Sequence, residues 1–125
     1  MKVEYIPDGS DDCPLVRLYS FSMAEAQKLH DAFTSLASGS LRSAHLADIL
    51  PIEAIDGCSI TFVRSEHDRG VVHNGERAFT VELTPSGWDQ TAELAEPFRE
   101  GRLAYHQWLT DAGKFRLLLS PTGRW

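Results

Sequence analysis

The segments IDGCSITFVR, residues 55–64, and VVHNGERAFTVEL, residues 71–83, decide how this chain reads. Each sets a turn dipeptide beside a run of strand-forming residues. Asp56-Gly57 and Asn74-Gly75 suit two-residue hairpin turns, whose backbone needs positive φ at both central positions. Alternation from Cys58 to Phe62 places Cys58, Ile60 and Phe62 on one face and Ser59 and Thr61 on the other. Likewise Phe79, Val81 and Leu83 share a face, opposite Ala78, Thr80 and Glu82. A two-residue loop at Asn74-Gly75 sets Val72 opposite Arg77 and Val71 opposite Ala78. The expectation is an antiparallel meander, apolar behind and polar in front.

On the N-terminal side, residues 2–7 and 15–21 read as two strands joined by the polar tip 8–14. Ser22-Met23-Ala24-Glu25 is a capping box, so a helix starts there, with Ala26, Leu29, Phe33 and Leu36 on its apolar face and Gly39 as its stop. Residues 40–55 fit a helical and an alternating pattern, with a short helix favoured before Pro51 and a short edge strand after it. On the C-terminal side, Thr84 is an N-cap, Pro85 the first helical residue, and Trp88, Ala92, Ala95 and Phe98 one apolar side of a helix that Pro97 ends or kinks. Residues 105–109 and 115–119 form a last hairpin across Thr110-Asp111-Ala112-Gly113, and Leu117-Leu118-Leu119 marks a strand covered on both faces. Strands that cluster rather than alternate with helices define an α+β class. The expected architecture is a single domain, residues 1–125, with a mostly antiparallel twisted sheet of about six or seven strands and two main helices, 22–36 and 85–97.

Composition narrows the function. A chain of 125 residues with 42% hydrophobic and 24% charged residues can bury a core without staples. A net charge of −6 argues against a nucleic-acid partner, whose phosphates require clustered cations. Arg64, Arg69 and Arg77 are interleaved with Glu66, Asp68 and Glu76. No apolar run reaches the roughly 20 residues of a bilayer span, and no signal-peptide core follows Met1, so the expected location is cytoplasmic and away from the membrane. Cys13 and Cys58 are too few for a disulfide framework; Cys58 reads as a small buried hydrophobe.

Two constellations stand out as candidate sites. Tyr105, His106 and Trp108 lie on one strand, and Trp88 or Trp125 can join them: aromatic bodies with polar tips, the residue types enriched where proteins bind. His106 and Trp108 share one face of that strand. The second is Glu66, His67 and His73, the densest set of potential metal ligands, though it matches no established metal-binding spacing. No nucleophile elbow, phosphate loop or dinucleotide fingerprint is present, and no catalytic residue or cofactor is assigned. The leading expectation is therefore a non-enzymatic protein-interaction or regulatory domain of accessory or immunity-like type. Its alternatives are a metal-assisted small hydrolase or metal binder around His67 and His73, and a small-molecule domain with a pocket between sheet and helices. A homo-oligomer through Trp125 or an uncovered strand edge is compatible with the sequence.

Overall fold

The computed structural model describes residues 1–101, 105–110 and 112–125. The chain is α+β. Its strands are β1 (Lys2–Ile6), β2 (Leu15–Tyr19), β3 (Ser43–His45), β4 (Glu53–Ala54), β5 (Ser59–Arg64), β6 (Gly70–His73), β7 (Ala78–Leu83), β8 (Gln107–Thr110) and β9 (Arg116–Ser120). The α-helices are α1 (Met23–Ser38), α2 (Leu46–Ile49) and α3 (Pro85–Arg99). The strands form two sheets, ordered β4-β1-β2-β9-β8 and β3-β5-β7-β6.

The α+β class is as expected, but the described strands number nine in two mixed sheets instead of six or seven in one mostly antiparallel sheet. Pairs β1–β4, β2–β9 and β5–β7 are parallel. The middle of the chain is not a meander: β5 pairs with β7, and β6 lies on the far side of β7. Asp56 and Gly57 do have positive φ, 53° and 76°, as the dipeptide predicts. They do not join paired strands. They form a 3-10 corner, Ile55–Gly57, that carries the chain from β4 in one sheet to β5 in the other.

Asn74-Gly75 lies in a true antiparallel hairpin, but the two-residue loop is wrong. The turn takes residues 74–77, closed by Asn74 N donating to Ala78 O at 2.8 Å. Val71 pairs with Val81 rather than Ala78, a slip of three residues. An odd slip flips every side chain to the other face. Here it moves Val71 to the dry side with Phe79 and Val81, and burial of an apolar β-branched side chain outweighs the local preference of the dipeptide.

Elsewhere local chemistry reads through. The Ser22–Glu25 capping box forms in both directions, and Gly39 closes α1 at φ 91°. Thr84 caps α3 by accepting from Gly87 N at 3.1 Å. The helix runs through Pro97 to Arg99, past the expected end. Pro97 lacks the N–H that would donate to Glu93 O, but it sits in the last turn, so little helix follows it to be kinked. The ambiguous stretch 40–55 contains both answers, with β3, α2 and β4 in succession. Of the last connecting turn, Asp111 lies outside the described residues.

Helices α1 and α3 pack on each other, and one hydrophobic core runs through them and the inner faces of both sheets. Its centre is an aromatic triad. Phe33 stacks on Trp88 at 5.4 Å, and Phe62 meets both edge-on at 5.2 and 5.6 Å. Trp88 Nε1 donates to Val63 O at 3.0 Å, so its one polar atom is satisfied within the core. No described helix is long and apolar enough to cross a membrane.

Candidate binding site

The outer face of the five-stranded sheet is set by register. Arg17 on β2 lies opposite Glu4 on β1 and Leu118 on β9, and Trp108 on β8 lies opposite Leu118 from the other side. Leu15 and Leu118 are fully buried on this face although they stand apart from the main core. Apolar side chains on an outer face stay dry only if something lies over them.

On the same face the chain after β9 turns back toward β2, over Arg17 and Tyr19. Ser20 N donates to Pro121 O at 3.1 Å, and Arg17 Nη1 donates to Gly123 O at 2.7 Å. Ser120 Oγ donates to Arg124 O at 2.8 Å. Gly123 has φ 86°, and a Cβ there would stand 2.9 Å from the Tyr19 ring and 3.0 Å from Arg17 Nη1, so the close approach requires glycine. The Arg17 guanidinium lies 4.0 Å from the centre of the Tyr19 ring and 5.9 Å from that of Trp125.

This return sets Arg124 and Trp125 beside Tyr105 and His106. With Thr122 they line a cavity of about 230 Å³. Tyr105 is 70% exposed and Trp125 39%, two of the few large apolar side chains open to solvent. Trp108 does not line the cavity. It meets His106 edge-on at 5.9 Å, its own ring faces the Arg116 guanidinium at 5.4 Å, and it lines a different cavity beside α3. Of the residues singled out as an aromatic binding group, the fold brings Tyr105, His106 and Trp125 around one opening and keeps Trp88 in the core; Tyr105 and His106 precede β8 instead of lying on that strand with Trp108.

Charge in this region is partly committed. Arg17 pairs with Glu4 at 2.6 Å and Arg116 with Asp12 at 2.9 Å. The Arg124 guanidinium has no carboxylate at ion-pair distance among the described residues, so one residue of the cavity lining carries an unpaired positive charge. Arg124 and Thr122 escape sequence reasoning. The signal that points to them is the turn chemistry of Pro121-Thr122-Gly123, which reverses the chain over its own sheet.

The proposed metal ligands are placed differently. Glu66 and His67 sit in the exposed connection between β5 and β6. His73 lies flat on Phe79 with centroids 4.7 Å apart, near Tyr5 and Phe115, and its Nε2 is 3.0 Å from Glu76 O. A carbonyl partner requires the proton on Nε2, which commits that nitrogen. Among the described residues no three His, Cys, Asp or Glu side chains are placed to hold a metal ion. Glu66 instead lines a larger cleft of about 750 Å³ with Arg42, Ser43, Val63, Arg64, Ser65, Thr84 and Pro85. Cys58 is buried as expected, and burial pushes its thiol up to about 11.

Comparison with protein-family models, with curated proteins and with solved structures gives no match for this chain.

Proposed function

We propose that this chain is a non-enzymatic binding domain that holds a segment of a partner protein against Tyr105, His106, Arg124 and Trp125. One observation carries this reading: two exposed aromatic side chains flank a cavity bordered by Arg124, whose guanidinium has no carboxylate at ion-pair distance among the described residues. Trp, Tyr and Arg are the side chains that most often supply the binding energy of protein interfaces, because they bury much area with few rotors and still hydrogen-bond.

Size separates a protein partner from a free ligand. Pockets that enclose small molecules run from roughly 300 to 1,000 Å³. About 230 Å³ takes one or two side chains instead. Charge then specifies them: an apolar side chain between Tyr105 and Trp125, next to an Asp or Glu that reaches Arg124.

The test places a photo-crosslinking amino acid at position 105 of the full chain in cells of the source organism, with position 28 on the solvent side of α1 as the comparison. The expected result is a discrete protein adduct from 105 and not from 28. The crosslinked peptide of the partner carries an acidic residue beside an apolar one, and Arg124→Glu removes the adduct. The same adducts from both positions, or an adduct that survives both Arg124→Glu and Trp125→Ala, overturns the reading.

A further inference from the structure

We infer that the cleft between β3, the end of β5 and the start of α3 is a second binding site, for a phosphate monoester of a small hydroxylated molecule. The inference stands apart from the protein partner, since none of the residues involved borders the aromatic cavity.

The cleft follows from the parallel pair at the centre of the four-stranded sheet. β5 and β7 end side by side, with Arg64 opposite Leu83. After Leu83 the chain turns away into α3, and at Arg64 it turns away into the loop toward β6. Crevices open at the carboxyl ends of neighbouring parallel strands because their connections leave in different directions. Arg42, just before β3, closes the side: Arg64 N donates to Arg42 O at 2.8 Å, so two arginines 22 apart in sequence border one opening.

The cationic groups in the cleft are free to act on a ligand. Arg69 is engaged with Glu82 and Arg77 faces Asp56, whereas neither Arg42 nor Arg64 has a carboxylate at ion-pair distance among the described residues. The N-terminus of α3 is not the source of the site. Thr84 N donates to Asp68 Oδ1, and Gly87 N and Trp88 N donate to Thr84. The positive character comes from the two arginines, and Gly39 makes room for one of them, since a side chain there would collide with the Arg64 guanidinium.

Donor counting selects the ligand. Each guanidinium offers five N–H groups, more than a single carboxylate can take from two of them. A phosphate monoester presents three terminal oxygens and up to two negative charges, which suits two forks at once. Hydroxyl donors stand beside them. Ser43 Oγ makes no bond among the described residues. Ser65 Oγ accepts from His67 N at 3.3 Å and still has its own proton to give. Thr84 Oγ1 spends its proton on Asp68, at 2.9 Å. Glu66, the one acid in the lining, repels the phosphate but accepts from a ligand hydroxyl. At about 750 Å³ the cleft has room for more than inorganic phosphate.

Amide-resolved NMR titration of the intact chain tests this with inorganic phosphate, glycerol 3-phosphate and glycerol. The expected result is saturable shifts at Arg42, Ser43, Arg64 and Ser65 with both phosphates, tighter for the ester, and none with glycerol. Arg42→Gln is expected to weaken binding at least about tenfold, as loss of a charge-assisted bond does. Arg42 is exposed, so this variant keeps the fold even if Arg64→Gln, beside the end of α1, does not. Arg77→Gln, outside the cleft, is expected to leave binding unchanged. Absence of saturable shifts, equal affinity for ester and inorganic phosphate, insensitivity to Arg42→Gln, or an equal loss with Arg77→Gln each overturns the inference.

Discussion

The His73 imidazole stacks on the Phe79 ring with 4.7 Å between centroids and 9° between planes. The contact joins the edge strand β6 to its neighbour β7 and, through Tyr5 and Phe115, to the other sheet. Ring pairs of this kind contribute about 0.5–1.5 kcal/mol beyond area burial. His73→Ala is therefore expected to lower unfolding free energy by about 1 kcal/mol, and His73→Phe to retain most of it, both read from urea transitions. Zinc is expected to leave the midpoint of the native protein unchanged. A gain of about 2.7 kcal/mol, the linkage expected at a hundredfold excess over a dissociation constant, would restore the metal reading.

Glu25 does two jobs at the start of α1. Its Oε1 accepts from Ser22 N at 3.0 Å, and its Oε2 accepts from the Met1 ammonium at 2.7 Å. The bond from the ammonium, foremost, and the Ser22 amide hold its carboxyl below the ordinary value of 4.5, against the opposing pull of burial. A lowered folded-state value means stability that is complete above the ordinary value and lost as pH falls through the lowered one. Glu25→Gln keeps an acceptor for the Ser22 amide and loses the charge that faces the Met1 ammonium, so it is expected to cost up to about 1 kcal/mol at pH 7. That difference from the native protein should shrink to nothing in acid, as the native carboxyl becomes protonated. Urea titrations of the two proteins across the acid range check it; a gap that persists unchanged in acid refutes the electrostatic account.

Local chemistry was legible in the sequence, and pairing between distant segments was not. Ser22, Gly39, Thr84 and Pro85 act within one turn of themselves, so their roles follow from spacing alone. Asp56-Gly57 shows where the limit lies. Its positive φ values are as read, yet dihedrals say nothing about which strand the turned chain will meet, and here it meets another sheet. The parallel pairing of β5 with β7 skips a strand and leaves no local mark. The same division holds for the candidate sites. Tyr105, His106 and Trp108 are close in sequence and carry their own chemical signal, whereas Arg42 and Arg64 become a pair only because β3 adds to the edge beside β5.

Cys58 illustrates a group whose burial is readable by titration. Desolvation raises its thiol to about 11, against an opposing pull from Arg77. A folded-state value above the ordinary 9.0 means stability that is complete below that pH and declines as pH rises toward the folded value. The decline contributed by one such group is at most about 1.4 kcal/mol per pH unit. Comparison of alkaline stability curves is expected to show this component in the native protein and not in Cys58→Ala. At pH 8 a thiol reagent is expected to label Cys13, which is partly exposed, and to reach Cys58 only after unfolding. Labelling of both in the folded state would contradict the burial.

Gly70 sits where the two sheets meet. It opens β6 at φ 72°, and a Cβ there would collide with the carbonyl oxygen of Ala112, in the connection between β8 and β9. Gly113 makes the reciprocal approach, with a Cβ position 3.0 Å from Arg69 O. The next residue along, Val71, bridges Phe115, so backbone meets backbone along the seam. Two costs then add at one site. Left-handed backbone costs an L-residue roughly 1–2 kcal/mol, and the obstructing atom belongs to main chain that cannot rotate aside. Gly57 separates these costs, because its φ is 76° but nothing lies within 4 Å of its Cβ position. Gly57→Ala is expected to lose about 1 kcal/mol through backbone strain alone. Gly70→Ala is expected to lose at least about twice as much and to loosen the seam, read as faster amide exchange at Val71 and Phe115. Equal losses would mean that the sheets do not depend on this close approach.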